Sequence, residues 1–234
     1  METKKILTFS YDDGVTQDER LADLFRKYGM GATFNINSEL LGRPGELVIG
    51  GKRVNHTKLT PADARRVYRG FEVAAHTLTH PPLMRQTDEE VVRQVEEDRL
   101  RLSDLFGYEV VGFAYPGGRP NYDARVAELV RTKTGVKYAR TINSSLSFDR
   151  QENLIEFRPT VYHYGEWDRM IALGREFLAL PPETDAVFYV WGHAYEFDLG
   201  ENWDKFEEFL AMMAGKEDVR YLTNREALLG EEFR

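Results

Sequence analysis

The sequence predicts an α/β fold in which βα units surround a parallel sheet or barrel. Short apolar, β-prone runs alternate with helix-periodic stretches for most of the length, the pattern of strands joined by crossover helices. Acidic, imidazole and glycine-containing segments fall repeatedly just after the predicted strands, where a parallel barrel gathers its functional side chains. At 234 residues the chain is long enough for one sizeable core, and a single domain over 1–234 is expected. A composition of 42% hydrophobic and 30% charged residues excludes a disordered or fibrous chain.

The predicted strands are 5–9, 32–37, 71–75, 111–114, 138–140, 155–158, 186–191 and 219–221, each a short β-prone run ahead of turn residues or a helical stretch. Helices fall between them. Over 87–106, Thr87 with Glu90 predicts a capping box, and Val91, Val92, Val95, Leu102 and Leu105 recur on one face. Thr60-Pro61 opens another helix with proline at its first position, and Thr223 with Glu226 caps a terminal one. The stretch 38–59 breaks the rhythm. Leu47-Val48-Ile49, Gly50-Gly51 and Lys52-Arg53-Val54 predict a β-hairpin, inserted after the second strand because regular βα punctuation resumes on both sides.

A formal net charge of −8 argues against broad affinity for nucleic acid or anionic membrane surfaces and points to a ligand that is neutral, or cationic after reaction. Met1-Glu2-Thr3-Lys4-Lys5 does not resemble a secretory signal, and no apolar run approaches the roughly 18 residues of a membrane span, so a cytoplasmic address without stable membrane insertion is expected. Cysteine is absent, which leaves nitrogen and oxygen as the donors for any metal. Homo-oligomerisation is left open.

Asp12-Asp13-Gly14 places two like charges side by side at the end of the first predicted strand, a costly arrangement unless a positive charge sits beside them. Roughly sixty residues later the predicted strand 71–75 ends in His76-Thr77-Leu78-Thr79-His80, and Pro81-Pro82 argues against a helix there. One carboxylate with two imidazoles is a three-ligand set with open positions, the pattern of hydrolytic metal sites in which bound water is the nucleophile. The other aspartate is then free to act as a base. Such a donor set accepts zinc, the first expectation, as well as cobalt, nickel or iron. Most aromatics, including Tyr162, Tyr164, Trp167, Tyr195 and Trp203, are read as core; Tyr115 and Trp191 are expected at the rim. Glu196 and Asp198 are read as helix-start acids without chemistry.

In order and kind these motifs resemble the polysaccharide deacetylase family, the NodB-homology carbohydrate esterases, from Thr8 to about His193. The resemblance implies a distorted (β/α) barrel of the NodB-like type. It also implies an acetylated sugar or oligosaccharide as substrate and a divalent metal cofactor. By that likeness Ser10-Tyr11-Asp12-Asp13-Gly14 supplies Asp12 as general base and Asp13 as metal ligand; His76 and His80 complete the ligand set; and Trp191-Gly192-His193 supplies His193 as general acid. Ala114-Tyr115-Pro116-Gly117-Gly118 departs from the family's arginine-bearing third motif but keeps the turn, with the N–H near Gly117 available to an oxyanion and Tyr115, Pro116 and Trp191 beside the substrate. The missing arginine leaves Arg158, at the end of a later predicted strand, as the candidate to orient the base. The family's fourth, acidic motif is not recognisable in 149–160, so the acid that tunes His193 is open.

The expected reaction is hydrolysis of an N-acetyl or O-acetyl group. Two rivals accompany it: cleavage of another C–N bond, as in a formyl group on a lipid-linked sugar or a cyclic ureide, and a carbohydrate-binding protein whose catalysis has decayed.

Overall fold

The structure, a computed structural model, describes residues 4–233. In chain order its elements are β1 (Lys5–Asp12), α1 (Asp18–Tyr28), β2 (Ala32–Ile36), β3 (Glu46–Ile49), β4 (Lys52–Asn55), α2 (Pro61–Val67), β5 (Glu72–Ala75), α3 (Asp88–Phe106), β6 (Gly112–Ala114), α4 (Ala124–Lys133), β7 (Tyr138–Arg140), β8 (Val161–Tyr162), α5 (Trp167–Ala179), β9 (Ala186–His193), α6 (Tyr195–Gly200), α7 (Trp203–Met213), β10 (Val219–Tyr221) and α8 (Asn224–Leu229). The main sheet is parallel throughout, in the order β7-β6-β5-β2-β1-β9-β8, with β10 beside the first residues of β1. Its two ends approach through one short segment. Phe157 bridges to Arg140 of β7, and four residues later β8 pairs with β9, so the sheet curls into a distorted (β/α) barrel.

The predicted strand over 155–158 is not formed. Residues Leu154–Glu156 make a 3-10 turn and Phe157 makes a single bridge; the strand lies at Val161–Tyr162 instead. Pro159 has no N–H to donate, so a ladder along β7 cannot run on past it, and the chain crosses to β9. The remaining predicted strands form with shifts of a few residues at their ends.

Period-two alternation sorts the strand side chains into two layers. Leu7, Phe9 and Tyr11 of β1 pack outward against the helices, together with Val73 and Ala75, Phe113, Ala139, and Phe188 and Val190. The inward set is small and partly polar: Ile6, Val187, Tyr189 and Trp191 pack with Ala227 of α8, while Thr8 and Ser10 accept amide protons from Asn224 and Asn35. By the same alternation Asp12, His76, Arg140 and His193 fall on inward positions at the carboxyl ends of their strands. At the opposite end Lys5, fully buried, donates to the α5 carbonyls of Leu178 and to Leu180, and pairs with Asp218 at 2.7 Å, which satisfies a charge that the core could not otherwise hold.

Helix caps follow the sequence with one exception. Thr60 caps α2 and Thr223 with Glu226 forms a complete capping box on α8. At α3 only half the box forms: Thr87 accepts from the Glu90 N–H, but the Glu90 carboxylate turns to Arg93 and Gln94. The segment 38–59 holds the predicted hairpin, with Gly50 and Gly51 both at positive φ in its two-residue turn (58° and 81°), where side-chain-bearing residues would be strained. Its last residues return antiparallel to the loop after β1: Thr16 N–H donates to Thr57 C=O and Leu59 N–H to Gly14 C=O, both at 2.9 Å. Among the described residues no helix is long and apolar enough to cross a membrane.

Candidate active site

Sheet register brings Asp12 to the centre of the barrel mouth. Its backbone lies opposite Asn35 on β2 and His193 on β9. The Asn35 amide donates to Asp12 Oδ1 at 2.8 Å, and the Arg140 Nη2 contacts both carboxylate oxygens at 2.6 and 2.5 Å. Burial alone would raise the Asp12 pKa, but Arg140, with His76 and His193, holds it below the usual carboxylate range. Asp12 is therefore an ionised acceptor with one oxygen, Oδ2, facing His76 Nε2 and His193 Nε2 at 4.0 Å each.

Asp13, His76 and His80 converge beside it, their ligand atoms all within 4.8 Å of one another. Asp13 Oδ1 stands 3.9 Å from His76 Nε2 and 3.8 Å from His80 Nε2. The His76 Nδ1–H donates to the Ala114 carbonyl at 2.8 Å, which fixes the tautomer and leaves Nε2 bare; that buried nitrogen has no hydrogen-bond partner. Desolvation pushes His76 down to about 4 and also lowers His80, so both rings are neutral at ordinary pH, the state a ligand needs. The backbone is bent to produce this arrangement: Asp13, Thr77 and His80 all sit at positive φ (83°, 71° and 59°) without being glycine. The donor set, the bare nitrogen and the neutral rings fit a divalent cation.

His193 is built for the opposite charge state. Its Nδ1 and its backbone N–H both donate to Glu196, at 3.0 and 2.9 Å, and the Tyr162 hydroxyl donates to the same carboxylate. Burial would lower the His193 pKa, but the charge and hydrogen bond of Glu196 push it up to about 9. Glu196 is buried in turn beside His163, whose Nδ1 meets the Tyr11 hydroxyl at 3.0 Å. Gly192 is required here, since a Cβ would stand 2.1 Å from the His163 ring.

Two sequence expectations are corrected by these contacts. Arg158 does not reach Asp12: its guanidinium is exposed and donates to the Ser144 carbonyl, because it lies beyond the point where the chain leaves β7. The arginine on Asp12 is Arg140, fully buried and 4.4 Å over the Trp191 ring. Glu196 is not an idle helix-start acid, for its carboxylate is the acceptor on His193. Asp198 instead accepts from Trp203 and Gln17.

A cavity of about 710 Å³ opens on this cluster, lined among others by Gly117, Gly118, Trp191, Tyr162 and Tyr195. Tyr162 and Tyr195, read from sequence as core, thus border it. Tyr115 touches the cavity, but its ring packs in the outer layer and its hydroxyl donates to the Ile155 carbonyl, so it has no free polar group for a ligand. Pro116 is buried in the turn, and Gly117 turns the chain at φ 87°. Trp191 stacks on Tyr162 at 4.3 Å and keeps an unpartnered Nε1–H. From the insertion, His56 and Lys58 also reach Asp13, at 3.0 and 3.5 Å.

Fold and site together define a distorted (β/α) barrel with an Asp-His-His cluster at the carboxyl ends of its strands. The chain belongs to the polysaccharide deacetylase family, whose model, described as polysaccharide deacetylase, matches residues 1–139. In fold it is similar to a deacetylase solved with substrate, 15% identical over 99% of this chain and 94% of that one, with a TM-score of 0.60. It is similar likewise to a family 4 acetyl xylan esterase from Clostridium thermocellum in complex with a cobalt ion, 13% identical over 96% and 91% of the two chains, TM-score 0.59. Against a Streptococcus pyogenes deacetylase in complex with acetate the identity is 20% and the TM-score 0.47; that match takes 58% of this chain, which spans only 55% of the other. No curated protein matches the chain.

Proposed function

We propose that the protein is a metal-dependent hydrolase that removes acetyl groups from an acetylated sugar, with Asp13, His76 and His80 holding the cation. The observation that carries this reading is the bare, buried Nε2 of His76 turned toward Asp13 Oδ1 and flanked by Asp12. When bound, a divalent cation of the zinc or cobalt kind supplies Lewis acidity at the acetyl carbonyl and lowers the pKa of water from 15.7 toward about 7. The rest is the work of the chain's own groups.

Asp12, held ionised by Arg140 and Asn35, takes a proton from the attacking water through Oδ2, the oxygen that faces the cluster. The Gly117 N–H, at the cavity edge, is a backbone donor for the developing oxyanion. His193 is the acid. With Nδ1–H committed to Glu196, it presents a protonated Nε2 to the leaving nitrogen. The C–N bond breaks as that nitrogen takes the proton, and acetate and a free amine result. Tyr162 and Tyr195 border the cavity and provide aromatic surface against which a sugar ring can pack, whereas Trp191, between Tyr162 and Arg140, backs that surface from beneath.

Arg140 and Glu196 occupy the places of the base-orienting cation and the acid-tuning carboxylate that the motifs lacked, which supports an intact site over a decayed one. The test is release of acetate from N-acetylated chito-oligosaccharides by protein loaded with zinc or cobalt. Formylated sugars and cyclic ureides serve as competitors. Turnover of a competitor alone would move the chemistry to another C–N bond; binding of the oligosaccharide without turnover of any substrate would favour the decayed reading.

A further inference from the structure

The two oxygens of Asp13 face different partners. Oδ1 looks toward the imidazoles of His76 and His80, while Oδ2 lies 3.0 Å from Nε2 of His56, a residue of the insertion. An ionised carboxylate only accepts, so His56 donates from Nε2 to Asp13 at 3.0 Å; the Lys58 ammonium, 3.4 Å from the same nitrogen, is then a neighbour and not a donor to it. We infer that His56 is a positioning residue for Asp13: by holding Oδ2 it turns Oδ1 alone toward the cation, making the insertion part of the metal site. The inference rests on the metal reading given above.

The placement of His56 is over-determined. Its backbone N–H donates to the Gly45 carbonyl at 2.9 Å, where the chain passes so closely that a Cβ on Gly45 would stand 2.8 Å from the His56 carbonyl oxygen. Its ring meets Tyr195 edge to face, 5.2 Å between centroids. The next residues are stitched to the loop that carries Asp13 by the Val15 to Lys58 bridge and the Thr16 and Leu59 hydrogen bonds. Across the cleft the hairpin is tied to α6 and its neighbours: Lys52 donates to the Leu199 carbonyl, and Gln17 links the Asn55 carbonyl to Asp198. Lys58 does not duplicate the role, because its ammonium lies 3.5 Å from the other oxygen, Oδ1. Without His56 the Asp13 carboxylate is free to rotate or to offer both oxygens, and outer partners of this kind typically set about 10–100-fold in metal affinity.

The test separates the hydrogen bond from the packing. His56→Phe keeps an aromatic ring against Tyr195 and removes the donor; His56→Gln removes the ring and keeps an N–H. Whole chain stripped of metal is titrated with cobalt(II), with affinity read by calorimetry and coordination by the visible absorption of the ion, and with thermal unfolding of each metal-free variant recorded beside them. The expected result is a loss of about 10–100-fold in cobalt affinity with an altered absorption band for His56→Phe, and recovery of most of that affinity in His56→Gln. Cobalt binding by His56→Phe equal to wild type, or a His56→Gln variant as weak as His56→Phe, overturns the inference. Wild-type protein that takes up no cobalt is a distinct failure, since it removes the metal reading itself.

Discussion

Asp12 Oδ2 and His193 Nε2 stand 4.0 Å apart, and for each residue the largest charge that sets its state is a buried partner. For Asp12 the partner is Arg140, fully buried, so removing the guanidinium leaves a buried carboxylate without its largest counter-charge. Arg140→Met should cost about 3–5 kcal/mol of stability, read by denaturant unfolding, and should raise the Asp12 pKa, because burial then acts unopposed by its largest counter-charge. A variant as stable as wild type would show that the pair is not what holds Asp12. For His193 the partner is Glu196. A general acid works only while protonated, so with the ring pushed up to about 9, kcat/KM should hold through neutral pH and fall as pH rises through that value. Glu196→Gln removes the charge that raises the ring and should move this alkaline limb to lower pH; an unmoved limb would take His193 or its partner out of the acid role. Asp12, Asp13, His76, His80 and His193 were nameable from local motifs, since each sits in a short run of distinctive residue types. Arg140 was not, because it meets Asp12 only through the sheet, 128 residues away in sequence. Its one signal was a charge at the end of a short apolar strand, on the same parity as Tyr138.

The elements act as a frame whose tolerances are narrow where strands meet the site. Gly192, between Trp191 and His193 on β9, gives its space to the His163 ring, and Gly192→Ala should cost about 1–3 kcal/mol by overpacking and lower activity as the Glu196 cluster shifts. Unchanged unfolding and kinetics would show that the ring moves aside freely. At the other end of the barrel the complete capping box on α8 should make Thr223→Ala cost about 1 kcal/mol, without effect on cobalt affinity because it lies far from the mouth. Long, periodic or capped elements such as α2, α3 and α8 were legible from sequence, as was the Gly50-Gly51 hairpin. The closing segment was misplaced because Ile155 to Arg158 looks β-prone on its own, and only the competition between β7 and β9 decides where a two-residue strand forms. The contact of the hairpin's return with Asp13 was also out of reach, since no local pattern says where an insertion lands.

Across the whole molecule, parallel strands buried on both faces carry alternating layers: an aromatic and aliphatic layer under the helices, and a smaller, partly polar one inside. The fold class was legible because such strands read as short continuous apolar runs between helices. Register was not, and it is register that sets Asp12 opposite His193 and Asn35. Against the net charge of −8, the two adjacent carboxylates at the mouth are matched by Arg140 and Lys58 and by the protonated His193, while His76 and His80 stay neutral. The most direct test of the account is metal content measured alongside acetate release for wild type, Asp12→Asn and His76→Ala. Wild type is expected to hold one divalent ion per chain and to turn over, Asp12→Asn to keep the metal without turnover, and His76→Ala to lose both. Hydrolysis by Asp12→Asn, or full metal retention by His76→Ala, would contradict the account.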